Sequence, residues 1–306
     1  MLTKQQRIDR HAGLGGSDAA AVLGLSPWTS PLDLYLDKRG ELDEEPEQPT
    51  NWQRWGHLLE DLIADEASAQ LGIKTARRNQ TIVHKAHPWM RANIDRRVLN
   101  ERAIMECKST GWKDGSAWGE PGSDEVPVYY ATQAHHYLEV TGLERCYMPV
   151  LFLLNRSIEV YVIERDKSIA ERLIAAEAKF WTDHVLAGVP PEPRTIAEVR
   201  KIWRGSGELE VIASDEVDDW HAELEEARAT IKATEKRRDE LVFEIAKFMQ
   251  DAAILMPAGG DKPLATHKPS VSTVLDQKRL KDEYPDVYDA CTTERKTRRF
   301  LSKKRS

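Results

Sequence analysis

Cysteine is scarce in this 306-residue chain. Its three residues, Cys107, Cys146 and Cys291, are far apart and odd in number. That excludes a disulfide framework and a cysteine-bound metal cluster, and it points to a reducing, cytoplasmic setting. The nine histidines show no zinc-type spacing, and adjacent His135 and His136 read as ordinary polar positions. Long apolar runs are also missing, so no membrane span and no membrane partner are expected. The first residues, MLTKQQRIDRH, have no apolar core, so no secretory signal is expected there. An excess of basic charge is missing as well: the net charge is −7. Residues 295–306 (RKTRRFLSKKRS) nevertheless carry seven basic residues and no acid, while acids gather at Glu41 to Glu47 and around 215–226. An acidic net charge does not exclude a polyanionic partner, because contacts with one need only a local basic lining.

What is present begins with RHAGLGGSDAAAVLGLS at residues 10–26. Gly15-Gly16 permit a turn, Ser17 is a suitable N-cap, and Ala19 to Leu23 propagate a helix. A glycine turn at a helix start offers free N–H groups to an anion, to which Arg10 could add a bidentate contact; for an isolated turn of this kind plain capping is the simpler reading. Ser30-Pro31 open a second helix that stops at Gly40. Residues 51–71 form an amphipathic helix, with Trp52, Trp55, Leu59, Leu62, Ile63 and Ala67 at helical spacing. Glu60 lies beside that stripe, where an acid is costly unless paired or bound to metal.

Residues 73–84 read as a strand. The stretch RANIDRRVLNERAIMECK, Arg91 to Lys108, then supplies two more. Along the second, side chains alternate, so Ile104, Glu106 and Lys108 share a face and Met105 and Cys107 take the other. Asp95 lies on the neighbouring strand. Two acids and a lysine converging at a strand end suit metal-assisted phosphodiester cleavage, with hard oxygen ligands for a divalent cation and an ammonium to orient the nucleophile. On spacing alone, a half-exposed strand carrying a salt bridge is the simpler reading. Glu-x-Lys also occurs at Glu177-Lys179 and Glu294-Lys296, where a polar helix and a basic tail make it surface charge.

A glycine- and tryptophan-bearing loop, Ser109 to Asp124, follows; it either touches substrate or merely connects. The rest reads as a helix over 127–141 carrying Gln133, strands Tyr147–Leu154 and Ile158–Ile163, and a helix over about 167–187. The order predicts an α/β sandwich with one central mixed sheet flanked by helices. Composition shifts after Pro190-Pro191. The chain is read as a core over 1–204 and a helical, coiled extension over 205–306. That extension holds a heptad helix at about 215–250, a hairpin over 262–275 and the basic tail.

The segments GLGGSDAAAVLGLSPW, WGHLLED, ANIDR and MECKST, in order with the Gln133 helix, resemble the YqaJ-type viral recombinases. These are relatives of the phage lambda exonuclease in the PD-(D/E)XK superfamily, with a restriction-endonuclease-like core. The resemblance covers roughly residues 7–165, and the tail segment LATHKPSVSTVLD…LKDEYPDVY…RKTRRF also resembles the C-terminal part of phage members. It implies that Asp95, Glu106 and the Cys107 backbone carbonyl bind metal, that Glu60 completes the metal shell, and that Lys108 positions or activates water. It implies that Gln133 sits near the site and that Arg10 and Ser17 receive a 5′ phosphate. Ile94 stands where the superfamily motif has proline, and Arg96 where a small residue often follows the aspartate.

The implied activity is an Mg²⁺-dependent exodeoxyribonuclease, with two ions and Mn²⁺ as a substitute. It would degrade one strand of linear duplex DNA from its end, 5′→3′, leaving 3′ single strands for recombination by annealing. The implied partners are double-stranded DNA ends, a single-strand annealing protein, and further copies of the chain in a ring such as a trimer, in a bacterial or phage-infected cell. The rival readings are an endonuclease of the same fold and a catalytically silent DNA-end-binding scaffold.

Overall fold

The structure is a computed structural model that describes residues 11–41, 50–78, 80–111, 117–203, 205, 210–293 and 300–302, without the side chains of 52 and 53. It divides into two compact units, Met1–Ile202 and Trp203–Ser306.

The first unit is built on a six-stranded sheet. Its strands are β1 (Thr75–Arg77), β4 (Arg96–Val98), β5 (Ala103–Met105), β6 (Lys108–Thr110), β7 (Arg145–Phe152) and β8 (Ser157–Glu164). β5 and β6 both run parallel to β7, and the remaining pairings are antiparallel. A parallel pair needs a crossover, and helix α4 (Val128–Thr141) supplies it between β6 and β7. β2 (Ile82–Val83) and β3 (Arg91–Ala92) form a separate ribbon. The strand expected over 73–84 is therefore two short pieces in different sheets, because the polar run from Arg78 to Gln80 breaks the alternation.

β5 and β6 are two segments of one line. Met105 lies opposite Tyr147 and Lys108 opposite Val150, so the register is unbroken across the gap. It places Glu106 beside Met148 and Cys107 beside Pro149. The Glu106 N–H donates to the Tyr147 carbonyl at 2.9 Å. The return bond to the Glu106 carbonyl would come from residue 149, but proline has no N–H. The ladder is interrupted at Glu106-Cys107 for that reason.

Helices cover both faces. α3 (Asn51–Leu71) lays Ala64 and Ala67 against Ala103, Met105 and Tyr147. α4 lays Ala134 and Leu138 against Ile104, Met148 and Val150. The apolar stripe expected on α3 is only partly buried: Ile63 and Ala67 are inside, whereas Trp55 and Leu62 are 58% and 56% exposed. α1 (Gly16–Val22) packs on α4 so closely that a Cβ at Gly16 would collide with the Tyr137 ring. α2 (Pro31–Arg39) starts as expected, with the Ser30 hydroxyl accepting from the Asp33 N–H at 3.1 Å and proline at the first turn. α5 (Lys167–Lys179) runs into a π-helical segment, Phe180–Leu186, and α6 (Ile196–Ile202) closes the unit.

The second unit holds α7 (Asp215–Met249), strands β9 (Ile254–Leu255) and β10 (Ala265–Thr266), and helices α8 (Gln277–Glu283) and α9 (Pro285–Cys291). The hairpin is thus displaced from the expected 262–275 to the β9–β10 pair, and two short helices follow instead. The seam on α7 is mostly uncovered: Trp220, Ile231 and Phe248 are exposed, and among its described residues Met249 alone is buried. Most of the acidic stretch from Glu41 to Glu47 and of the basic tail lies outside the described residues.

Candidate active site

Glu106 occupies the interruption between β5 and β6, and its side chain turns toward α4. There Lys108 Nζ lies 2.9 Å from Glu106 Oε1 and donates to Gln133 Oε1, also at 2.9 Å. Gln133 Nε2 donates to the same Glu106 Oε1 at 2.8 Å, closing a three-membered network. The other Glu106 oxygen, Oε2, is buried without a hydrogen-bond partner. Asp95, just ahead of β4, accepts the Cys107 N–H on Oδ2 at 2.8 Å. An extended residue sends its N–H and C=O the same way, so the Cys107 carbonyl leaves on the Asp95 side.

Glu60 reaches this edge from α3. Arg96 Nη1 sits 3.6 Å from Glu60 Oε1, its Nη2 pairs with Asp61, and its Nη1 donates to the Asp95 carbonyl oxygen at 3.1 Å. The residue that departs from the small one expected is a buried guanidinium tying two acids of α3 to the backbone at Asp95. The Glu60–Arg96 contact is an ion pair at partly buried positions, with Glu60 a quarter exposed.

The acids raise one another. Burial, with the Glu106 carboxylate second, pushes Asp95 up to about 7. Burial and then Asp95 raise Glu60. Burial raises Glu106 against the pull of Lys108. Burial works against the Lys108 ammonium, but Glu106 and Asp95 outweigh it, so Lys108 is raised and stays charged. Sequence reasoning missed two further neighbours: Tyr130, whose ring centre lies 5.1 Å from Lys108 Nζ, and Tyr137, whose hydroxyl is 3.3 Å from Gln133 Nε2. Their spacing of three and four residues from Gln133 puts all three on one helix face, a signal the sequence carries.

The structure thus brings Asp95, Glu106, Cys107, Lys108, Gln133 and Glu60 to one sheet edge. Arg10 lies outside the described residues. Ser17 is not an N-cap: Gly15 holds that position, and Ser17 lies exposed in the first turn. The Gly15 N–H is taken by Asp18 Oδ2 at 2.9 Å, and Lys38 pairs with that oxygen at 2.6 Å. The turn's natural anion position therefore already carries an internal carboxylate.

The readings of Glu177 as surface charge and of His136 as an ordinary polar position are both corrected. Glu177 and His136 are fully buried, with His136 Nδ1 2.8 Å from Glu177 Oε1 and Nε2 2.9 Å from the Arg91 carbonyl oxygen. Helix phase put both on the interfaces of α4 and α5 with the core, where a polar residue needs a partner, and each is the other's. Trp118, in the loop after β6, is a core residue beside Phe152 and Tyr161.

Among solved structures, an alkaline exonuclease (LHK-Exo) from Laribacter hongkongensis is similar at 15% identity, covering 61% of this chain and 94% of that one with a TM-score of 0.47. A phage-related exonuclease from Haemophilus somnus 129PT is 14% identical over 60% of this chain and 98% of that one, with a TM-score of 0.41. The model of the YqaJ-like viral recombinase domain matches residues 7–144, the stretch that carries Asp95, Glu106, Lys108 and Gln133. The YqaJ protein of Bacillus subtilis (strain 168) is 33% identical over 303 residues, covering 96% of this chain and 92% of that protein. With an alignment of that identity covering nearly the whole chain, the chain belongs to the YqaJ-like viral recombinase family.

Proposed function

We propose that this protein is a divalent-metal-dependent deoxyribonuclease that removes nucleotides from one strand of a DNA duplex, starting at its end. The observation that carries the reading is the convergence of Asp95, Glu106, Lys108 and Gln133, with one buried Glu106 oxygen unpartnered. A buried carboxylate oxygen without a donor is costly, and a hard cation is the partner such an oxygen suits.

The donors present fit Mg²⁺ or Mn²⁺. Asp95 and Glu106 are the side-chain donors, the Cys107 carbonyl is a third oxygen, and Glu60 approaches from the side. All are hard oxygens, with no imidazole or thiolate among them. No group of three or more His, Cys, Asp or Glu side chains is already gathered as a metal cage among the described residues. That agrees with a donor set completed by a backbone carbonyl and by phosphate oxygens of the substrate, as is usual for Mg²⁺. When bound, the cation supplies charge neutralisation at the scissile phosphate and an acidified water.

The chain's own groups do the rest. Lys108, held charged between Glu106 and Gln133, orients the attacking oxygen by donating a hydrogen bond rather than by taking a proton. Gln133 fixes both partners of that lysine. Arg96 holds Glu60 and the Asp95 backbone in place. Ser17 and Arg10 are the proposed receivers of the terminal 5′ phosphate, and that assignment gives the digestion its 5′→3′ direction. The 3′ single strand left behind is the substrate of an annealing protein. A ring of copies, such as a trimer, would keep the enzyme on its DNA.

The test is digestion of linear and of covalently closed circular duplex with Mg²⁺, labelled at either terminus, with and without a 5′ phosphate. Loss from 5′ ends, faster with phosphate and absent on the circle, is expected. Cleavage of the circle would favour the endonuclease, and no cleavage with any divalent metal would favour the end-binding scaffold.

A further inference from the structure

A chain of aromatic rings leads from Lys108 to the surface. Tyr130 lies under the Lys108 ammonium at 5.1 Å, Tyr129 meets Tyr130 at 4.5 Å, and Trp28 meets Tyr129 at 4.8 Å and 75°. At its inner end the same cluster includes Trp118, 6% exposed and enclosed by Tyr130, Phe152 and Tyr161. Trp118 is packing. Trp28 is different: it is 69% exposed, so at least one face of its indole is open to water.

That exposure is built into the fold. Trp28 sits in the loop between α1 and α2, where the Ser26 hydroxyl accepts from the N–H groups of Trp28 and Thr29 at 3.3 and 3.2 Å. The loop leaves α1 through Gly24 at φ +68°, where a Cβ would run into the Arg194 guanidinium. An exposed cation therefore stands against the same loop. Leu25, in the same loop, and Val128, next to Tyr129 in sequence, are also exposed, at 42% and 52%. An open aromatic face on a loop that a cation also contacts is what proteins present to an unpaired nucleobase and its phosphate. Laid end to end, the three contacts from Lys108 reach no farther than about four base steps of a duplex, at about 3.4 Å each.

Resting on the nuclease reading above, we propose that Trp28 is a stacking platform for one nucleobase of the DNA end, about four nucleotides or fewer from the scissile phosphate. The base lies on the open indole face, and Arg194 neutralises an adjacent phosphate. Tyr129 acts as the positioning residue that holds the indole edge.

The test measures binding of a short 5′-phosphorylated linear duplex to the full chain in Ca²⁺, by fluorescence anisotropy. Single abasic nucleotides are placed in turn at the first six positions of each strand. Trp28→Ala is expected to weaken binding about tenfold, Trp28→Phe to recover most of it, and Trp28→Leu, apolar but without a π face, to behave as Trp28→Ala. At one position the abasic nucleotide is expected to weaken the wild type by a similar factor and to leave Trp28→Ala unchanged. Abasic and Trp28 effects that simply add at every position would overturn the stacking, as would Trp28→Leu binding as tightly as Trp28→Phe. Wild-type protein that binds no duplex would overturn the nuclease reading and this inference with it, whereas binding without coupling overturns the stacking alone.

Discussion

Helix α4 touches two buried charge pairs, and they are built on opposite principles. In one Gln133 joins Glu106 to Lys108; in the other His136 meets Glu177. Each pair leaves one carboxylate oxygen buried and unpartnered. At Glu177 that oxygen belongs to a sealed pair, with both side chains at 0% exposure and one acid facing one base. Around Glu106 three acids face Lys108 and Arg96: Glu106 raises Asp95, Asp95 raises Glu60 and Glu60 raises Glu106, each after burial, and Glu60 and Lys108 are the partly exposed members. A balanced sealed pair locks two helices together. An acid-rich, partly open cluster has negative charge still to be neutralised, as a cation-binding site requires.

The largest expected effect breaks the cluster at its lysine. Lys108→Ala should reduce the rate of strand digestion about a thousandfold or more with little change in folding, since it removes a donor aimed at developing charge. Single-turnover digestion with circular dichroism as the folding control checks this. The reverse is expected of Glu177→Gln. Leaving one half of a buried pair uncompensated costs about 3 kcal/mol, read as a lower denaturant midpoint, while each folded molecule keeps its activity. Glu106→Gln should show neither loss of midpoint nor retained activity, because relieving acid crowding at a functional site tends to stabilise.

A smaller effect lies in the pH dependence of stability. Burial works against charging His136, but Glu177 and the Arg91 carbonyl overcome it, so its folded value is raised. A group raised on folding binds its proton more tightly in the native state. Its contribution is therefore complete below the ordinary histidine value of about 6.5 and is lost as pH rises through the raised value. Thermal midpoints of wild type should fall over that range, and Glu177→Gln should flatten the slope. An unchanged slope in the variant would assign the pH dependence to other groups.

Much of this was legible in the sequence. Glu106 and Lys108 could be placed together because strand alternation fixes which side chains share a face, and Asp95 because its segment was read as the neighbouring strand, whereas Gln133 was placed there only by the family resemblance. The α2 boundaries followed from Ser30, Pro31 and Gly40, whose cap chemistry is local. The burial of His136 and Glu177 was not legible: the two are 41 residues apart, and only the packing of α5 on α4 makes them partners. The role of Gly15 in place of Ser17 was hidden similarly, because Asp18 and Lys38 decide it through a tertiary ion pair. The break at Glu106-Cys107 depends on Pro149, which matters only once β7 is known to lie alongside.

The central claim is that the excess acid around Glu106 is a cation site whereas Glu177 is not. Thermal unfolding of the metal-free protein against Mg²⁺ concentration, for wild type, Glu106→Gln and Glu177→Gln, tests it most directly. A ligand that binds only the folded state raises stability with the logarithm of its concentration. Mg²⁺ is expected to raise the midpoint of wild type and of Glu177→Gln by similar increments and to leave Glu106→Gln unmoved. Equal Mg²⁺ responses in all three, or none in wild type, would contradict it.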